Sequence, residues 1–147
     1  MGALADGALQ GGGLITGVIP YFLKTKEVVH EGISELITVD TMHERKLKMH
    51  DLSDGIIAMP GGWGTMEELF EMLTWSQLGL HTKPVGLLNL DGYYDSLLAF
   101  LRSSVATGFM NNALMDLIKT GDDAEPLLSE LVEASEVSLA TTRLDQI

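Results

Sequence analysis

The chain predicts an α/β fold, a three-layer sandwich in which helices cover both faces of a parallel β-sheet. Three observations carry that prediction. Short apolar runs alternate with longer segments of helical period along the whole chain. Two of the runs, Gly-Ile-Ile-Ala-Met at 55–59 and Val-Gly-Leu-Leu-Asn at 85–89, are apolar throughout, as strands buried on both faces are. Strand–helix alternation builds βαβ units with right-handed crossovers, which is how parallel strands are joined. With 147 residues and no linker, internal repeat or low-complexity stretch, a single domain over 1–147 is expected.

In chain order, the first helix is expected at Ala3–Leu9. The Gly11-Gly12-Gly13 triplet follows it and precedes a strand, so it reads as a helix C-cap and turn and not as a phosphate loop. Strands follow at Leu14–Ile19 and Leu36–Val39, then a helix at Met42–Asp51. The strand Gly55–Met59 leads into an amphipathic helix at Thr65–Leu78, with Met66, Leu69, Phe70 and Leu73 as its apolar stripe. The strand Val85–Asn89, a helix at Tyr93–Thr107, a strand at Leu117–Thr120 and a helix at Ala124–Ala134 complete the chain.

Composition narrows the function. A hydrophobic fraction of 46% with 20% charged residues is globular and excludes disorder. The absence of cysteine excludes a disulfide scaffold, a cysteine-ligated zinc site and a thiol nucleophile. Nine basic against 21 acidic residues gives a net charge of −12, which argues against a nucleic-acid polymer as partner. No apolar run reaches the ~18–20 residues of a membrane span, and the first residues lack a signal-peptide layout. A cytoplasmic protein without membrane contact is the expectation. His30, His43, His50 and His81 show no metal-ligand spacing, so no metal site is expected; no cofactor is expected either. Residues 116–147 carry half the net charge, whereas Lys24, Lys26, Arg45, Lys46 and Lys48 cluster. That cluster is either a solvated face or a local anion site.

Ligands of open α/β sheets sit beyond the carboxyl ends of the strands, where loops lead into helices. Two such loops stand out. Pro60-Gly61-Gly62-Trp63-Gly64-Thr65-Met66-Glu67-Glu68 lies directly between an apolar strand and an amphipathic helix. Its glycines let backbone approach a ligand, and a helix N-terminus offers unpaired N–H groups to a phosphate. Thr65 reads as the N-cap, and Thr65-x-x-Glu68 then reads as a capping box. Glu67, Glu68 and Glu71 also suit the positive end of the helix dipole. The second loop, Asp40-Thr41-Met42-His43-Glu44-Arg45-Lys46, places two cations in a first helical turn, against the dipole preference. An anionic partner would compensate, and the planar fork of Arg45 suits phosphate or carboxylate. His43 could act as a general base, but it has no identifiable carboxylate partner.

Together, Met42-His43-Glu44-Arg45-Lys46 and Pro60-Gly61-Gly62-Trp63-Gly64-Thr65-Met66-Glu67-Glu68 resemble the LOG family, the cytokinin riboside 5′-monophosphate phosphoribohydrolases, much of which is labelled lysine decarboxylase. The resemblance continues through Thr74–Gly79, Lys83–Asn89 and Gly92-Tyr93-Tyr94-Asp95, and Gly17–Pro20 also fits. It implies a Rossmann-like fold and cleavage of the N-glycosidic bond of a purine nucleoside 5′-monophosphate, releasing the base and ribose 5-phosphate. Arg45 and Glu68 fall on the family's catalytic positions. Glu27, Met42, Arg45, Lys46, Gly61, Gly62, Trp63, Gly64, Thr65, Met66 and Glu67 fall on its nucleotide-binding positions. The chemistry is reasonable: such bonds break through a cation-like sugar, which a carboxylate can stabilise or supply with activated water. An arginine can hold an anion or assist the departing base. Capping and catalysis by Glu68 do not exclude each other.

The resemblance also implies a homodimer with the 65–78 helix near its interface. Leu73 stands where some relatives carry threonine. Family members carry an upstream strand–helix–strand with a glycine-rich phosphate loop, whereas this sequence opens at Met1-Gly2-Ala3, inside that motif, as if N-terminally truncated. Two further functions compete with the hydrolase. One is a non-catalytic nucleotide or molybdenum-cofactor carrier of the same fold; retention of Arg45 and Glu68 favours the enzyme. The other is lysine decarboxylation, which needs a pyridoxal phosphate Schiff-base lysine, and none of the lysines has a recognisable context for one.

Overall fold

A computed structural model describes residues 2–24, 30 and 32–144, with side chains described as far as Glu136. The chain forms two compact units, 1–53 and 54–147.

The first unit runs α1 (Gly2–Gln10), β1 (Thr16–Pro20), α2 (Tyr21–Lys24), β2 (Glu35–Val39) and α3 (Met42–Leu52). The glycine triplet ends α1 as expected. Gly12 takes φ 77°, its N–H bonds to the Leu9 carbonyl at 3.0 Å, and the Gly13 N–H bonds to the Ala8 carbonyl at 2.8 Å. This pair of bonds is a Schellman cap, and the left-handed residue is the one that must be glycine. Strands β1 and β2 pair in parallel from Thr16↔Glu35 to Pro20↔Val39, and α3 packs against both.

The second unit runs β3 (Ile56–Ala58), α4 (Trp63–Gln77), β4 (Val85–Leu88), α5 (Asp95–Ala106), β5 (Ile118–Gly121) and α6 (Ala124–Leu144), with 3-10 turns at Leu90–Gly92 and Asn112–Leu117. Its strands form a parallel sheet in the order β3-β4-β5, with Ile56↔Val85 and Val85↔Ile118 in register. All four residues of β4, the central strand, are buried. Val85 and Leu87 meet Leu69 of α4 and Leu98 of α5 on one face, whereas Leu88 meets Leu127 and Leu131 of α6 on the other. Helices on both faces of a parallel sheet make this the α/β sandwich the sequence predicts.

Three expectations need correction. Strand β3 is not buried on both faces: Ile57 is 40% exposed, because β3 is an edge strand and α6 lies over β4 and β5. On α4 the buried positions are Leu69 and Met72, with Met66 and Leu73 packed beside the core, while Phe70 is exposed. Helix α4 also begins two residues before the expected Thr65, which changes the reading of the site.

Candidate active site

The β3–α4 corner turns on two glycines, Gly61 and Gly62. Gly62 is the N-cap of α4, and having no side chain it makes no capping bond. Its carbonyl accepts the Met66 N–H at 3.1 Å, the first bond of the helix ladder. The donors of the opening turn, at Trp63, Gly64 and Thr65, come before that ladder starts, and they carry the positive end of the helix dipole.

Thr65 is therefore the third helical residue and not the N-cap, and the Thr65-x-x-Glu68 capping box does not form. The reason is local packing. A Cβ on Gly61 would lie 2.9 Å from Thr65 Cβ, and closer still to its Oγ1. The threonine occupies the space that glycine leaves, and this closes the corner early enough for Gly62 to start the helix. Glu68, sixth in α4, sits beyond the first turn, where neither the box nor the dipole accounts for it. It is half-buried, Glu67 is exposed, and Trp63 is 93% exposed. Met66 packs against the core, so its side chain is committed to stability.

A box does form at the β2–α3 corner in the first unit. Thr41 caps α3, accepting the Glu44 N–H at 3.1 Å on its hydroxyl, and the Glu44 carboxylate accepts the Asp40 N–H at 2.9 Å. Arg45 and Lys46 follow directly. Arg45 is half-buried and Lys46 only 6% exposed, an unusual environment for a lysine. Met42 is half-buried and His43 is exposed. Glu27 and Lys26 lie outside the described residues.

Sequence reasoning missed two residues that hold the β3–α4 corner in place. The Tyr93 hydroxyl donates to the Gly61 carbonyl at 2.7 Å, and the Tyr94 hydroxyl donates to the Met59 carbonyl at 2.5 Å. Both tyrosines follow β4, so parallel pairing of β3 and β4 brings them to the neighbouring loop. Their rings meet edge to face, with centroids 4.9 Å apart. The turn carrying them is held by the Asn89 side chain, whose Oδ1 accepts the Tyr94 N–H at 2.6 Å and whose Nδ2 donates to Asp95 Oδ1 at 2.8 Å. Asp91 (φ 50°) and Gly92 (φ 72°) both sit in the left-handed region; glycine adopts it freely, so the strain of the turn lies at Asp91. Burial, and secondly the neighbouring Tyr93, push the Tyr94 phenol above its ordinary value, so it stays a neutral donor. The readable signal was the cluster Asn89, Asp91, Gly92 directly after a strand.

A cavity of about 370 Å³ elsewhere in the second unit is lined by His81, Lys83, Pro84 and Lys119 and contains none of these residues.

A family model described as "Possible lysine decarboxylase" matches residues 1–131. A cytokinin riboside 5′-monophosphate phosphoribohydrolase of Arabidopsis thaliana is 49% identical over 133 residues, covering 90% of this chain and 62% of its own. A second Arabidopsis phosphoribohydrolase of that name is 45% identical over 135 residues, 92% of this chain and 63% of its own. A "probable" one from Oryza sativa subsp. japonica is 49% identical over 133 residues, 90% of this chain and 59% of its own. The chain thus spans about three-fifths of the length of these curated relatives. On a family match over nearly the whole chain and this level of identity, the protein belongs to the LOG family, whose family model carries the lysine decarboxylase description.

Proposed function

We propose that the protein hydrolyses the N-glycosidic bond of purine nucleoside 5′-monophosphates, adenosine 5′-monophosphate or its N6-prenylated form. The observation that carries this reading is the side-chain-free N-terminus of α4 at Gly62, set at the carboxyl end of β3 and followed on the same helix by Glu68. The N-terminal donors of a helix whose N-cap is a glycine suit a phosphate, and Glu68 adds a carboxylate on the same helix for acid–base or electrostatic work. In the reaction the N9–C1′ bond breaks and its electron pair leaves with the base. A water oxygen bonds C1′, and the proton lost by that water goes to the base, so substrate and water become free base and ribose 5-phosphate. Glu68 stabilises the cationic sugar and activates the water; Arg45 holds an anion or assists the departing base. Glu27, Met42, Lys46 and the Gly61–Glu67 segment bind the nucleotide, Met66 through its backbone. The reading further includes a homodimer with α4 near its interface, supported by the exposed Phe70, Leu78 and Leu80, and a cytoplasmic location. Among the described residues, no helix is long and apolar enough to cross a membrane.

The test is release of free base from the two monophosphates, with carbon dioxide release from lysine as the competing readout. Glu68→Gln keeps size and shape, and because Gly62 is the N-cap it leaves the helix start intact. Stability should change by less than about 1.5 kcal/mol while turnover falls by at least about 10²-fold. A folded Glu68→Gln protein with near-normal base release would remove Glu68 from the mechanism. Wild-type protein that binds adenosine 5′-monophosphate without turnover would make it a carrier.

A further inference from the structure

The Gly61–Gly62 peptide is flanked by two residues without Cβ, so side-chain sterics do little to decide which way it faces. A trans peptide is planar, and its C=O and N–H point in opposite directions. One orientation directs the Gly62 N–H to the same side as the donors of the α4 first turn. The flipped orientation would put the Gly61 carbonyl oxygen there instead, where it would repel an anion. In the structure the Gly61 oxygen is occupied by the Tyr93 hydroxyl at 2.7 Å. Tyr93 is 54% exposed, so core packing does not require its hydroxyl, in contrast to the buried Tyr94 one residue on.

We propose that Tyr93 is a positioning residue for phosphate: its hydroxyl holds the Gly61 carbonyl and so keeps the Gly62 N–H facing the anion. The inference rests on the reading of the α4 N-terminus as the phosphate site. It predicts a division of labour between the two tyrosines. Tyr94, bonded to Met59 at the end of the strand, serves the fold, whereas Tyr93, bonded one glycine before the helix, serves the ligand. The strained Asn89–Asp95 turn fits this role, because a hydroxyl that sets a peptide's direction must itself be held firmly.

Tyr93→Phe removes the hydroxyl and keeps the ring against Tyr94. The full chain and this variant are compared by calorimetric titration with ribose 5-phosphate and with adenine, and by steady-state kinetics. Affinity for ribose 5-phosphate is expected to fall about five- to tenfold, the scale of one lost hydrogen bond, while adenine binding stays the same. KM for the monophosphate should rise by a similar factor with kcat within about twofold. Backbone hydrogen exchange at 62–65 should accelerate, with exchange in β4 unchanged. Equal ribose 5-phosphate affinity in the two proteins overturns the proposal, as does a variant in which adenine binding falls in parallel. If the wild-type chain binds no ribose 5-phosphate, the phosphate reading fails and this inference with it. That failure is told apart from failure of the tyrosine alone by the wild-type titration.

Discussion

Gly61 is the position at which the corner can be tested without any assumption about substrate. Its backbone φ lies outside the left-handed region, so the cost of Gly61→Ala is chiefly one of space. The added methyl would stand 2.9 Å from Thr65 Cβ and 3.3 Å from its Cγ2, where carbon atoms ordinarily keep about 3.5–4.0 Å. Rotating Thr65 about χ1 moves Oγ1 and Cγ2 but not Cβ. Backbone must therefore open by about 0.6–1 Å, either at Gly61, which Tyr93 holds at 2.7 Å, or in the first turn of α4. Overpacking of this kind costs about 1–3 kcal/mol. With a urea dependence of about 2 kcal/mol per M, the unfolding midpoint should fall by about 1 M. Thr65→Gly removes every one of these contacts at about 1 kcal/mol of helix propensity. The double variant should therefore be more stable than the two single losses predict, with a coupling of about 1 kcal/mol or more. An unchanged midpoint in Gly61→Ala, or additive losses across the cycle, would refute the claim that Thr65 fills the glycine's space.

Two further perturbations separate the remaining assignments. Thr41→Ala should cost about 1 kcal/mol in thermal or urea unfolding, because Thr41 and not Thr65 is the threonine that caps a helix; Thr41→Ser should restore most of it. Tyr94 donates as a neutral phenol whose pKa is raised in the folded state, so its stabilisation is complete below the ordinary value of 10.0 and is lost as pH rises through the raised one. Tyr94→Phe should accordingly lower stability at neutral pH by about 1–3 kcal/mol and lose stability less steeply than wild type above pH ~10, read from unfolding midpoints across an alkaline series.

Much of the fold could be read from the sequence because the relevant signals are local. The run Val85–Asn89 marks a strand that is buried throughout, and the glycine triplet after α1 marks a Schellman cap. What could not be read depends on neighbours distant in sequence. Ile57 looks like its buried neighbours until β3 proves to be an edge strand. Phe70 is exposed and Met72 buried because the face of α4 that meets the core is set by packing and not by helical period alone. The pattern Thr-x-x-Glu occurs at both 41–44 and 65–68, and only the first is a capping box. The difference lies in the residues before it. Val39-Asp40 leads out of β2 directly, whereas Gly61-Gly62 allows the chain to turn two residues early. Nor could the sequence join Tyr93 to Gly61, 32 residues away, since that contact exists only once β3 and β4 pair in parallel.

The contrast between the two corners bears on function. At α3 a threonine hydroxyl and a glutamate satisfy donors at the helix start, and the basic residues come afterwards. At α4 the corresponding place holds a glycine, and the side chains that stabilise the corner, Thr65, Tyr93 and Tyr94, do so without capping the helix. A serine or aspartate at an N-cap is worth about 1 kcal/mol more than an alanine, and glycine gives up only a few tenths of that. The energetic loss at Gly62 is therefore small. The chemical consequence is larger, because a side-chain oxygen there would occupy the donors that an anion needs. A turn with Asp91 in the left-handed region, a glycine closed against a threonine and two tyrosines bound to carbonyls all fix the corner, and the N-cap residue itself, Gly62, contributes no side-chain cap. Departures from local structural preference that share one outcome of this kind are expected at a binding site.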